Sequence, residues 1–345
     1  MELISRLSLP IIQGPMAGGG STPALAAAVS NAGGLGALAC SLYSPAQIEA
    51  QVGQLRTLTN QPFMINFFVQ DTPKPSSSEV DAAVELLRPV WESLGWATLP
   101  LPAAWCEDFA AQFETILALR PPAVSFTFNI LTAAQVARLH AAGIAVVGTV
   151  TTVEEGLAWQ AAGADAVVAS GVESGGHRGT FLGPQEAATL RGAELWPAVA
   201  QALSIPVIAA GGIMTGADIR HALELGARAV QMGTAFLVCD ESGINAAYRQ
   251  RLVEAGDAPT RLTRAFSGRY ARGLVNRFMD LMQGVEMAVP AYPVQNALTG
   301  SIRAEAAKRG DAELLSLWAG TGVARARAMP AARLMQLLAA ELRAA

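Results

Sequence analysis

Cysteine is scarce in this 345-residue sequence: Cys40, Cys106 and Cys239 stand far apart, with no CxxC spacing. That leaves neither a disulfide framework nor a zinc pattern, and a reducing cytoplasm is the expected setting. Charge is scarce too. Charged residues make up only 15% of the chain, the formal net charge is −4, and no basic block occurs, so nucleic acid is excluded as a partner. Apolar residues reach 52%, yet no run nears the roughly 20 that a membrane span needs. The opening MELISRLSLP has an acid at position 2 and meets Pro10 before any sustained apolar stretch, unlike a signal peptide. Also missing are HExxH, GxSxG, a dense carboxylate cluster and a GxGxxG after the first strand. Gly18–Gly19–Gly20 lacks the acidic partner that a dinucleotide fold would place about 20 residues on. Hydrolytic metal chemistry, serine chemistry and a Rossmann fold are therefore disfavoured, and no metal is expected. A bound organic cofactor would account for so few catalytic side chains.

What the chain does have is glycine in places that matter. Residues 166–181, AVVASGVESGGHRGTF, run from a buried strand into a loop with Gly171, Gly175, Gly176 and Gly179, plus Glu173, His177 and Arg178. Strand end, glycine loop and titrating group together read as a site. Around it, short apolar runs alternate with longer Ala/Leu-rich stretches of helical period. Eight strands are expected: Pro10 to Gly14, Leu35 to Ala39, Phe63 to Val69, Val124 to Phe128, Ala145 to Val150, Ala166 to Ser170, Pro206 to Gly211 and Ala229 to Thr234. The intervening helices begin with Ser or Thr in several cases and stop at Gly. Polar and glycine residues recur at the C-terminal ends of the strands: Gln13, Asn66, the 171–178 loop, Gly211–Gly212 and Gly233–Thr234. Loops on one face of a barrel converge on one site, so the expected fold is a (β/α)8 barrel of the TIM type.

Two stretches exceed a minimal barrel. The barrel would span 1–239 with an enlarged connection at 71–120; residues 240–318 read as a mostly helical cap, and 319–345 as a segment returning to the barrel, ending in an amphipathic helix from Pro330 to Leu342. Gly211–Gly212 and Gly233–Thr234 follow neighbouring strands, where backbone N–H groups can surround a phosphate. His177 is the best titrating candidate, able to orient an anion, donate a hydrogen bond or take a proton, with a solvated loop histidine as the plain alternative. His140 and His221 lie in helix-period segments and read as solvated or packed. Glu173 and Arg178 pair or line the mouth. Asn66 interrupts an apolar strand and needs partners, from a flavin-like edge or from the backbone.

The motifs PIIQGPMAGGGSTPALAAAVSNAGG, GVESGGHRGTF, VIAAGGI, QMGTAF and SLWAGTGVARARAMP, in this order and nearly end to end, resemble the nitronate monooxygenases of the bacterial class I branch. The resemblance implies an FMN-dependent (β/α)8 barrel that oxidises alkyl nitronates, notably propionate 3-nitronate, with O2. It implies a flavin site including Met16, Ala17, Asn66 and Gly175, with the phosphate on Gly212, Gln231, Met232, Gly233 and Thr234. His177 matches the family's active-site histidine, Thr127 and Gly176 would face the substrate, and Trp318 to Gly322 would lie over the cofactor. The chain departs from the family pattern at Ser170, where a glutamine would contact the flavin, at Thr127, in place of a second histidine, at Asn129, in place of glycine, and at Ser174, in place of alanine. Without a second histidine, poor activity on neutral nitroalkanes is expected. Two alternatives stay open: an NAD(P)H-dependent flavin reductase acting on quinones or enoyl thioesters, and a non-catalytic flavin-binding protein. A homodimer is compatible with the sequence.

Overall fold

The computed structural model describes residues 2–345. Its strands, in chain order, are β1 (Ile11–Gln13), β2 (Gly36–Ala39), β3 (Phe63–Phe68), β4 (Ala123–Thr127), β5 (Ala145–Val150), β6 (Ala166–Ser170), β7 (Gly176–His177), β8 (Val207–Ala210), β9 (Ala229–Met232), β10 (Thr260–Thr263) and β11 (Ala271–Leu274). Eight of them form one parallel sheet in the order β1-β9-β8-β6-β5-β4-β3-β2, and a bridge between Ile12 and Leu35 joins its two ends. The expected (β/α)8 barrel is thus present, its eight strands overlapping the eight apolar runs.

Period-2 alternation sorts the side chains of each strand. Ile12, Ala37, Met64, Ala123, Val147, Val168 and Ile208 form one buried cluster, while Ile11, Leu38, Ile65, Val124, Val146, Val167 and Ala209 pack into a second cluster with the helices. Capping residues start the helices where the sequence places them. Ser44, Ser76, Thr132 and Thr215 each close a capping box, with Gln47, Glu79, Gln135 and Asp218 respectively. The final helix, Ala331–Ala344, packs against the helices Pro23–Asn31 and Gly216–Glu224, completing the outer ring.

The added segments share a core that the sequence did not reveal. Val80, Trp91 and Leu94, from the long connection after β3, pack in one apolar cluster with Phe266, Phe278, Leu298, Ile302 and Leu314 from the segment after β9. That later segment carries the helices Ala246–Val253, Arg277–Met282, Val294–Leu298 and Gly300–Arg309 and also the antiparallel pair β10–β11, and β11 pairs in turn with β7. The pairing aligns His177 with Ala271 and so attaches the histidine loop to the cap. No helix among the described residues is long and apolar enough to cross a membrane.

One buried carboxylate ties this loop to the barrel. Glu155, fully buried, accepts through Oε2 from Thr151 N (2.6 Å) and Thr151 Oγ1 (2.9 Å). Its Oε1 accepts from Thr180 Oγ1 (2.5 Å), Phe181 N (2.5 Å) and Leu182 N (3.0 Å). Glu155→Ala would strand several of these donors, and urea unfolding should show a loss of roughly 3–5 kcal/mol. A loss below about 1 kcal/mol would show that water replaces the carboxylate there.

Candidate active site

At the C-terminal end of the barrel strands, below the added segments, lies a cavity of about 420 Å³. The loops after β1, β2, β4, β6, β8 and β9 reach it, and β3 and β5 contribute Asn66, Phe68 and Thr149 from the strands themselves. Met16, Ala17, Asn66, Thr127, Ser170, Gly175, Gly176, His177, Gly212, Gln231, Gly233 and Thr234 line it together. Met232 does not: alternation along β9 turns Gln231 toward the cavity and buries Met232 in the barrel–helix core, while the Met232 carbonyl accepts from Gly14 N.

Two consecutive residues do opposite jobs in the histidine loop. The Arg178 side chain is fully buried and donates to Ser170 O (2.7 Å), Gly171 O (2.6 Å), Ala188 O (3.0 Å) and Ser170 Oγ (3.3 Å). It therefore holds the turn after β6 and does not pair with Glu173, which accepts instead from Gly192 N and faces Arg191. His177 points into a ring of aromatic side chains. Its centroid lies 5.3 Å from Phe128, 5.5 Å from Trp318, 5.7 Å from Tyr292 and 6.3 Å from Phe68. Phe128 takes a φ of 82°, an uncommon and strained choice for a bulky residue, and stacks on Phe68 with centroids 4.1 Å apart.

Hydrogen bonding fixes the His177 tautomer. Ser267 Oγ donates to Arg269 O (3.0 Å), so the 2.8 Å contact to His177 Nε2 has the imidazole N–H as donor and leaves Nδ1 with the lone pair. Burial, with the charges of Arg269 and Arg303 adding to it, pushes the imidazole down to about 3. His177 is neutral at pH 7. The sequence left its protonation state open; the surrounding rings and guanidinium groups decide it.

Fixed charge on the cavity wall itself is of one sign. Its lining contains no aspartate, glutamate or lysine, and Arg303 is its sole arginine. Nearby, Arg269 donates to Arg178 O and Thr180 O and lies over the Phe128 ring, 4.4 Å from its centroid. Sequence reasoning missed Arg303, Tyr292, Phe128 and Ser267, because nothing in the segments after β4 and β9 separates them from ordinary helix and loop residues, and it missed Thr149, a strand residue of β5 whose hydroxyl is no local signal of a site.

The departures at Ser170 and Thr127 are absorbed locally. Ser170 Oγ donates to Ser174 Oγ (2.9 Å) and accepts from Arg178. Thr127 Oγ1 lies 3.2 Å from Thr149 Oγ1 and 3.4 Å from Asn66 Nδ2. Asn66 also donates to Ser125 O and Oγ, so the strand satisfies its N–H groups, whereas no described protein donor serves its Oδ1. Gln231 Oε1 is likewise buried without a partner. Around Gly212 and Gly233 the backbone N–H groups donate to no described protein acceptor, and a Cβ on Gly233 would meet nothing closer than Met16 Sδ at 4.0 Å. Unserved acceptors beside open N–H groups suit a ligand carrying both N–H or O–H donors and an anionic group. A phosphorylated flavin has that chemistry.

The returning C-terminal segment closes this side. Thr321 N donates to Glu173 O (3.0 Å), Gly320 N to Thr234 Oγ1 (3.0 Å), and Tyr248 to Trp318 O (2.5 Å). A Cβ on Gly175 would come within 2.5 Å of Gly320 N, so only glycine permits the approach. His140, 3.0 Å from Asp165, and the exposed His221 lie outside the site. Among the described residues no group of three or more His, Cys, Asp or Glu could hold a metal.

Comparison with known proteins agrees with this geometry. The model of the nitronate monooxygenase family matches residues 2–341. The chain belongs to the nitronate monooxygenase family. A probable nitronate monooxygenase of Staphylococcus aureus (strain Newman) is 39% identical over 330 residues, covering 95% of this chain and 93% of that protein. Among solved structures, the nitroalkane oxidase of Streptomyces ansochromogenes superposes with a TM-score of 0.93 at 42% identity, covering 100% of this chain and 98% of that one. FabK from Thermotoga maritima gives a TM-score of 0.78 at 28% identity, with 99% and 95% covered. The chain is therefore an oxidoreductase of this family, whose members are generally flavin-dependent.

Neutral His177 has a thermodynamic signature. Its pKa is lower in the folded chain than in the unfolded one, so between about 6.5 and about 3 the unfolded state binds the extra proton and stability falls as pH falls. The slope from one such group approaches about 1.4 kcal/mol per pH unit. Urea unfolding between pH 4 and 6.5 should show this component in the wild type and lack it in His177→Gln. Equal slopes would place the His177 pKa near its ordinary value.

Proposed function

We propose that the chain oxidises alkyl nitronates, propionate 3-nitronate among them, with molecular oxygen and FMN. The observation that carries the reading is the charge of the cavity: no acid on its wall, a guanidinium on it, and an uncharged imidazole whose N–H is already committed to Ser267. Such a wall favours an anion over a neutral molecule. FMN would be held by Met16, Ala17, Asn66, Ser170 and Gly175 along the ring, and by Gly212, Gln231, Gly233 and Thr234 near the phosphate. Bound there, it would take electrons from the substrate and pass them to oxygen.

The chain's own residues would bind and orient. A nitronate is a carbanion equivalent on arrival, so no proton has to leave its carbon. His177, neutral and held by Ser267, would line the site beside the substrate and does not suit carbon-acid chemistry, since an imidazole held far below its usual pKa is a weak base. Phe68, Phe128, Tyr292 and Trp318 would keep water from the reacting end. Thr127, bonded with Thr149 and Asn66, supplies no second base. Neutral nitroalkanes should accordingly be poor substrates.

Oxygen consumption by the FMN-loaded protein tests this directly, using propionate 3-nitronate, its protonated nitro form, NADH and NADPH separately. Rapid uptake is expected with the nitronate alone, and uptake at least 100-fold slower with the nitro form. Flavin reduction by a nicotinamide without nitronate turnover would replace the reading with a reductase, and no turnover with any donor would leave a flavin-binding protein. His177→Ala should retain FMN, because the phosphate loops lie on other strands, and lose at least tenfold in nitronate turnover. Unchanged turnover would remove His177 from the reaction.

A further inference from the structure

Arg303 is unusual among the arginines of this chain. It belongs to the helix Gly300–Arg309, in the segment added after β9, and lines the cavity with Asn296, Ala304 and Ala307. Its Nη2 donates to Asn296 O (2.7 Å) and Asn296 Oδ1 (3.1 Å), and its Nε to Thr299 O (3.4 Å). Nη1 has no described protein acceptor, and no carboxylate pairs with the guanidinium. Burial pushes Arg303 down to about 10, so it stays charged at pH 7. By contrast, Arg178 is fully served by carbonyls, and Arg325 and Arg327 have the carboxylates of Asp218 and Glu341.

The helix bearing Arg303 is built for position. Thr299 Oγ1, just before it, donates to Phe266 O (2.6 Å), and Gln295 Nε2 donates to Ala265 O (2.7 Å). The next residue of that loop, Ser267, holds His177 Nε2. One loop therefore sets both the imidazole from the barrel side and the guanidinium from the cap side, with Tyr292 beside the imidazole, 5.7 Å away by centroids. Pre-set hydrogen bonds on two of its three nitrogens leave the arginine one fixed direction in which to meet an anion. Ala304, Ala307 and Leu315 supply the neighbouring apolar wall, suited to a short alkyl chain.

We propose that Arg303 is a specificity-determining residue that receives a second anionic group, a carboxylate, carried by the nitronate a short carbon chain away from its reacting end. The assignment rests on the nitronate reading of the same cavity. An enclosed guanidinium without an acid partner is costly unless a ligand neutralises it. The nitronate end would lie beside His177, where the charge of Arg269 also reaches, leaving the Arg303 Nη1 for the second anion.

The test compares two nitronates of equal carbon count, propionate 3-nitronate and propyl-1-nitronate, on FMN-loaded wild type, Arg303→Met and Arg303→Lys. The ratio of kcat/KM for the carboxylated over the uncarboxylated substrate should fall at least thirtyfold in Arg303→Met and recover in part in Arg303→Lys, with FMN content unchanged. A second readout does not need turnover. Titration of the flavin absorbance with 3-nitropropionate and with 1-nitropropane should show at least tenfold weaker binding of the carboxylated ligand in Arg303→Met. An unchanged ratio, or an equal loss for both substrates, would overturn the assignment; the latter would mean that Arg303 serves the nitronate oxygens or the fold. Should the wild type turn over neither nitronate, the functional reading fails, and the ligand titration alone decides whether Arg303 selects a carboxylate.

Discussion

Everything at the mouth of this barrel depends on how the turn after β6 is held. Arg178 gathers the carbonyls of Ser170, Gly171 and Ala188 from the inside. Glu155 collects the donors of Thr180, Phe181 and Leu182 a few residues on. Two buried charges of opposite sign thus fix one loop without forming a direct ion pair. Each is satisfied by local dipoles, the condition under which a buried charge is tolerated. Between these anchors His177 is turned the other way by the strand alternation, into the cavity.

The same economy of charge sets the electrostatics. Arg178 and Arg269 donate to carbonyls and are offset in part by the buried Glu155 carboxylate, whereas Arg303 stands on the cavity wall with no carboxylate paired to it. A protonated imidazole would be unfavourable there, so His177 rests neutral with Nε2–H on Ser267. An environment that repels a proton from histidine is also one that attracts an anion. The neutral histidine and the preference for an anionic ligand are two consequences of one field.

Much of this was legible in the residues. Eight apolar runs of strand length, Ser and Thr before helices, and glycines after β6, β8 and β9 specify the barrel and the end of it that carries the site, because periodicity and backbone freedom are local properties. Twelve of the thirteen candidate residues line one cavity; the Met232 side chain turns into the core instead, because a one-residue step on a strand reverses the face. What stayed hidden depends on long-range packing. Arg303 looks like any charged residue of an amphipathic helix, and Ser267 like a loop serine, until Thr299 and Gln295 dock their segment on residues 265–266. The β10–β11 pair was unreadable because β10 is mostly half-buried and carries polar residues, so neither an apolar run nor clean alternation marks it. Arg178 was misleading for the opposite reason: beside Glu173 in sequence, it bonds to carbonyls in space.

The central claim is that the field of Arg269 and Arg303, with burial, keeps His177 uncharged, the same field on which the proposed preference for an anionic substrate rests. Nitrogen-15 NMR of the histidine side chains in the FMN-loaded protein measures it, with His177 assigned by its loss in His177→Gln and only His140 and His221 as other signals. The account predicts a neutral imidazole protonated on Nε2 throughout pH 5 to 8. A His177 signal that titrates with a midpoint near 6.5, or that carries its proton on Nδ1, would contradict it.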